Sequence, residues 1–149
     1  MAANPNLFHH ILIPTDGSET SIRAGKLAIR LAACQEARLT LAYVVDDAVT
    51  GELAGASGQD AHQVQANLEK SGQRYLDYLS RMAAAAKLTA AQVIRHGEPY
   101  KEISELAGEQ GVDLIVIGQV GSRGLRRVLI GRVTERVIEH APCPVLVVK

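Results

Sequence analysis

The chain has 149 residues, 16 Lys and Arg against 16 Asp and Glu, and 47% hydrophobic residues, the composition of an ordinary globular domain. At this length folding buries about 68–70% of the chain's surface, so one domain over 1–149 is expected to carry its own core. Zero net charge excludes a protein that coats nucleic acid or anionic membrane, and 3% aromatic residues with no Trp leave little for base stacking.

Met1 to Asn6 carry neither the basic nor the apolar part of a signal peptide, and no apolar run approaches the ~18 residues of a membrane helix. The first strand is expected at Ile11-Leu12-Ile13. Ala24, Leu27, Ala28, Leu31 and Ala32 then recur at helical spacing, with Ser18 or Thr20 as the N-cap. Leu39 to Val45 form a second strand, and residues 47–60, with Gly51, Gly55 and Gly58, read as a mobile surface loop. Val64, Leu68, Tyr75, Leu79, Met82 and Ala86 line a longer helix of about 30 residues. Gln92-Val93-Ile94 form a third strand; Ile103, Leu106 and Ala107 mark a helix that Gly111 ends. Leu114 to Ile117 form a fourth strand; Val133, Val137 and Ile138 mark a helix stopped by Ala141-Pro142, and Val145 to Val148 close the chain as a fifth strand.

This alternation requires right-handed crossovers, a parallel sheet and helices on both faces. Ligands of such sheets bind beyond the carboxyl ends of the strands, where strand order reverses. The first strand ends in Pro14-Thr15-Asp16-Gly17-Ser18, and the fourth runs into Gly118-Gln119-Val120-Gly121-Ser122-Arg123-Gly124. Gly131 then opens the last helix, whose N-terminus carries a partial positive charge and unpaired N–H groups suited to phosphate. Arg123, Arg126, Arg127, Arg132 and Arg136 share fourteen residues with one acid, Glu135, so a neutral chain has a basic segment beside its best anion cradle. A solvated helix face and a glycine turn would leave the same pattern. Neither G-x-x-x-x-G-K-[ST] nor a G-x-G-x-x-G after the first strand is present.

Ile11-Leu12-Ile13-Pro14-Thr15-Asp16-Gly17-Ser18-Glu19, Gly97-Glu98-Pro99 and Ala141-Pro142-Cys143-Pro144-Val145-Leu146-Val147-Val148 together resemble the universal stress protein family over essentially the whole chain. That resemblance implies a five-stranded parallel sheet of order 3-2-1-4-5, an adenine nucleotide alpha hydrolase-like sandwich. Gly118, Gly121 and Gly131 match the spacing G-x2-G-x9-G-[ST] of the family's ATP-binding members, with Arg132 where Ser or Thr is usual. By resemblance, Asp16 would accept hydrogen bonds from the ribose hydroxyls, and Pro14, Thr15 and Val44 would border adenine. Amides at Gly118, Gly121, Gly131, Arg132 and Val133 would hold phosphates, with Ser122 counted among the nucleotide-binding residues. The ligand implied is ATP, ADP or AMP, with Mg²⁺ left open. Arg132 keeps the backbone N–H, and its guanidinium could pair with phosphate, block the site or turn to solvent.

The other polar candidates read as structural. His9, His10, His62, His96 and His140 show no metal-ligand spacing, and His140 suits the negative end of its helix. Cys34 and Cys143 form no CxxC pair, and Cys143 reads as a buried small residue, with oxidant sensing as the alternative. Ser122 lacks a nucleophile elbow, and Asp46-Asp47 read as a solvated strand end or a Mg²⁺ contact. A final strand at the sheet edge invites a second copy, and the family resemblance implies dimers through Val145–Val148. The expectation is a cytoplasmic homodimer that binds adenine nucleotide as a regulatory or sensing ligand in stress response. It would act with an unidentified protein partner, without nucleic acid or membrane. The alternatives are an interaction module without nucleotide and a slow ATPase.

Overall fold

The computed structural model describes residues 5–121 and 129–149. Five strands form: β1 (His10–Pro14), β2 (Arg38–Asp46), β3 (Ala90–Gly97), β4 (Leu114–Gly118) and β5 (Val145–Val148). They pair in parallel in the order β3-β2-β1-β4-β5, as expected. All residues of β1 and β4 are buried because helices cover both faces there, which is why these strands are nearly continuous apolar runs.

The helices are α1 (Glu19–Gln35), α2 (Asp47–Ser57), α3 (Ala61–Ala85), α4 (Pro99–Glu109) and α5 (Arg132–His140). Strand residues alternate between two cores. Ile11, Ile13, Leu114 and Val116 pack with Ala28 and Ala32 of α1 and with Leu76, Leu79 and Ala83 of α3. Leu12, Ile115 and Ile117 pack on the other face with Ile103, Leu106 and Ala107 of α4 and Val137 of α5. No helix among the described residues is long and apolar enough to cross a membrane.

Three expectations are corrected in detail. Residues 47–57 are a helix, not a loop: Asp46 caps its start by accepting from the Ala48 N–H at 2.9 Å, and Gly58 closes it at φ +68°. Gly51 and Gly55 lower its intrinsic propensity and hid it, yet buried Thr50 and packing on α3 hold it. The long helix has 25 residues, from an Asp60 cap, and its most buried line runs through Leu76 and Ala83, one position beyond Tyr75 and Met82. On α1, Ile29 is buried and Leu27 is 40% exposed, so the apolar stripe is rotated toward Ile29.

Candidate functional site

The site is built where β1 and β4, adjacent in the sheet, end side by side. Beyond β1, the Thr15 N–H donates to the Ala42 carbonyl at 2.9 Å and continues the pairing with β2. The Thr15 hydroxyl is buried, 2.9 Å from the Ser21 hydroxyl, and accepts from the Gly17 N–H at 3.2 Å. Gly17 stands at φ +80°, a conformation that favours glycine. The Ser18 N–H then donates to Asp16 Oδ1 at 2.9 Å, an Asx-type turn that aims the exposed carboxylate out of the crest. Ser18 is the N-cap of α1, accepting from the Ser21 N–H.

Beyond β4, the chain is held from both sides of the sheet. A Cβ at Gly118 would stand 2.9 Å from the Ser21 nitrogen and from Thr20 Oγ1, so α1 starts directly against this strand end. The Thr20 hydroxyl donates to the Val120 carbonyl. From the other face, the buried Thr134 hydroxyl donates to the Gly118 carbonyl at 2.7 Å. The Gln119 N–H donates to the Val148 carbonyl and the Gly131 N–H to the Gln119 carbonyl, each at 2.7 Å. These bonds bring Gly131, the N-cap of α5, against Val120 and Gly121.

The sequence spacing therefore closes in space. A Cβ at Gly121 would lie 2.5 Å from Asp16 Oδ2, and one at Gly131 would lie 3.3 Å from the Gly121 nitrogen. Asp16, Gly118, Gly121 and Gly131 share one crest. The first intrahelical bond of α5 runs from Glu135 N–H to the Gly131 carbonyl at 2.9 Å. The N–H groups of Arg132, Val133 and Thr134 stand ahead of it and have no partner inside the helix. Arg132 and Val133 are exposed there.

The two described arginines of α5 differ. Arg136 is engaged: it pairs with Glu139 at 2.9 Å, donates to the Tyr100 hydroxyl at 3.1 Å and lies 4.6 Å over that ring. Those partners hold its guanidinium above the ordinary range, the Tyr100 hydrogen bond foremost. Arg132, at the helix start, makes no ion pair among the described residues.

Not every expected donor is available. The Gly131 N–H is bonded to Gln119, and the Thr15 hydroxyl faces Ser21 and Gly17, so both shape the crest instead of facing outward. Pro14 is buried, and Val44 is half-buried near the end of β2 on the α4 side of the sheet. Ser122, Arg123, Arg126 and Arg127 lie outside the described residues. Two surface hollows, about 150 Å³ beside Leu53 and Leu68 and about 330 Å³ beside Asp77 and Gln92, include none of the expected site residues. No cluster of three or more His, Cys, Asp or Glu fit for a metal occurs among the described residues, and Asp46 serves as the cap of α2.

Thr134, which holds the Gly118 carbonyl, and Tyr75, whose ring stands against Gly17, are neighbours of the crest that sequence reading missed. A threonine three residues before Val137, on the buried line of a short amphipathic helix, is the signal for the first. Tyr75 lay on an ordinary core stripe and gave none. Two of the histidines make contacts within the fold: His140 Nδ1 lies 2.9 Å from the Arg136 carbonyl in the last turn, and His96 Nε2 lies 3.0 Å from Glu69. Cys143 is half-buried against the α4–α5 core, and burial pushes its thiol up, away from the reactive thiolate.

The model of the universal stress protein family matches residues 7–149. The chain belongs to the universal stress protein family. It is 40% identical over 145 residues to universal stress protein MJ0531 of Methanocaldococcus jannaschii, covering 97% of this chain and 84% of that one. Its fold matches universal stress protein UspA from Lactobacillus plantarum with a TM-score of 0.84 at 28% identity, over 95% and 98% of the two chains. A universal stress protein solved in complex with cAMP matches with a TM-score of 0.66 at 26% identity, over 95% and 97%. Within the universal stress protein fold, the crest between β1 and β4 lies at the reversal of strand order, the position at which open α/β sheets take their ligands.

Proposed function

We propose that this universal stress protein binds an adenine nucleotide, ATP or its shorter forms ADP and AMP, as a regulatory ligand in stress response. The observation that carries the reading is the junction of Asp16 with Gly121, beside the N-terminus of α5. A carboxylate there suits a ribose diol, and N–H groups a few ångströms away suit phosphate. Pro14, Thr15 and Val44 border the base. The N–H groups of Gly121, Arg132 and Val133 hold the phosphates, and Gly118 and Gly131 keep the backbone close enough for them to do so. Arg132 replaces a neutral hydroxyl by a cation, which favours the more highly charged nucleotide. The relative bound to cAMP supports an adenine nucleotide as the ligand class. Mg²⁺ would be carried by the phosphates, since Asp46 is engaged as a cap.

A homodimer completes the proposal. β5 is an edge strand whose Leu146 is exposed, and a second copy pairing along Val145–Val148 would cover it. Such a dimer suits a cytoplasmic protein that signals through a further protein partner. Calorimetric titration with ATP, ADP and AMP at millimolar concentration tests the ligand. Heat with at least one of them is expected, and none with all three would overturn the proposal.

A further inference from the structure

The turn that presents Asp16 is covered by a side chain from a distant part of the chain. Gly17 joins Asp16 to Ser18, and any Cβ at that position would stand 2.2–2.6 Å from three atoms of the Tyr75 ring of α3. The ring therefore lies against the turn's most pliable residue, whose N–H donates to Thr15 Oγ1 at 3.2 Å. Tyr75 is fixed in turn. Its ring packs at 56° on Tyr43 of β2, with centroids 6.1 Å apart. Tyr43 fills the space a side chain at Gly72 would need, one helical turn before Tyr75. Burial first, then the neighbouring Tyr75 and the charges of Asp16 and Asp46, raise the pKa of the Tyr43 hydroxyl above its ordinary range. Tyr43 also precedes Val44, so one aromatic pair braces both the base-bordering strand end and the ribose-facing turn.

We infer that Tyr75 is a positioning residue for nucleotide binding: its ring, pressed on Gly17, holds the Asp16–Ser18 turn so that the carboxylate meets the ribose hydroxyls. This rests on the nucleotide reading above. The ring, not the hydroxyl, carries the role, because the contact is between the ring and backbone.

The full chain is titrated calorimetrically with ATP and with 2′,3′-dideoxy-ATP, which lacks the diol. Tyr75→Phe should bind ATP like the unaltered protein. Tyr75→Ala should weaken ATP about tenfold, within the range of coupling between contacting residues, and leave dideoxy-ATP unchanged. In an Asp16→Asn background, Tyr75→Ala should cost nothing further. Should Tyr75→Ala fail to give the cooperative melt of the parent, Tyr75→Leu, which keeps bulk but not a flat ring, takes its place with the same expectations. Unchanged ATP affinity in the Ala or Leu variant overturns the inference while leaving the nucleotide reading intact. Equal weakening of both nucleotides, or the same loss with and without Asp16, also overturns it by showing a structural role only. Absence of ATP binding by the unaltered protein overturns both.

Discussion

Asp16 Oδ2 and Gly121 approach so closely that a Cβ at position 121 would stand 2.5 Å from the carboxylate oxygen. These residues are far apart in the chain and meet only because β1 and β4 are neighbours in the sheet, each leading into a crest on the same side. The contact joins the residue suited to a sugar diol to the segment suited to phosphate.

Gly121→Ala should therefore weaken ATP binding by tenfold or more, roughly 1.4 kcal/mol, because Asp16 must turn aside to admit the methyl group. The atom displaced is the end of a side chain, so the unfolding free energy should change by less than about 1 kcal/mol. Calorimetry and urea unfolding on the same preparation separate the two effects. A loss of stability without loss of affinity would show that the glycine serves only the fold.

Arg132→Ala should lower affinity for ATP severalfold more than for AMP, because the guanidinium acts on phosphates that AMP lacks. The gap should narrow at high salt, where an exposed charge is screened. Equal effects on both nucleotides would place Arg132 away from the terminal phosphates.

Thr134→Val keeps the shape of a buried side chain and removes its hydrogen bond to the Gly118 carbonyl. The expected cost is about 1–2 kcal/mol. In a chain of this size each kcal/mol lowers Tm by roughly 2–4 °C. Unchanged urea midpoints would mean that α5 is held on β4 by apolar packing alone.

His10 makes stability depend on pH. It is buried, with Nε2 2.8 Å from Thr40 Oγ1 and Nδ1 3.2 Å from the Gln110 carbonyl. Burial first, and the charge of Arg38 second, lower its pKa from the ordinary 6.5, against the opposing pull of Gln110 and Asp113. The unfolded chain therefore takes up this proton at higher pH than the folded one. The contribution is complete above about 6.5 and declines as pH falls toward the folded value. Urea midpoints followed from about pH 7.5 to 5 should fall less steeply in His10→Gln than in the parent. Parallel curves would assign the slope to other groups.

Light scattering should return a dimer of the 15.9 kDa chain, and Leu146→Lys should shift it toward monomer by placing a charge on the edge strand. A monomer in the parent would remove β5 as an interface.

Much of the fold was legible before any coordinates. Strands buried on both faces must be short branched apolar runs, so β1, β2 and β4 stood out, each read one or two residues short; the edge strand β5 was read in full from its apolar run, and the other edge strand, β3, was read far too short. Its exposed positions break the apolar run that marks a strand. α2 was missed because two glycines and many small residues give no 3.6-residue period, although its Asp46 and Gly58 caps are local signals. Gly118, Gly121 and Gly131 were legible as a spacing, but not which of their N–H groups faced outward.

Local order was already written in the chain: apolar period, caps and glycine spacing each act within a few residues and need no partner to be read. Three relationships were settled only by packing. The Gly131 N–H is taken up by Gln119, Thr134 reaches across to Gly118, and Tyr75 closes over Gly17. Each joins residues on different elements, and which atoms meet depends on strand order, register and helix rotation together. A hydrogen bond lost to a shift of an ångström or a glycine filled by a neighbour's ring leaves no trace in a one-dimensional pattern. The balanced charge of the chain excluded a general polyanion binder, whereas the crest of Asp16, Gly121 and the α5 N-terminus, which defines the candidate site, exists only in three dimensions.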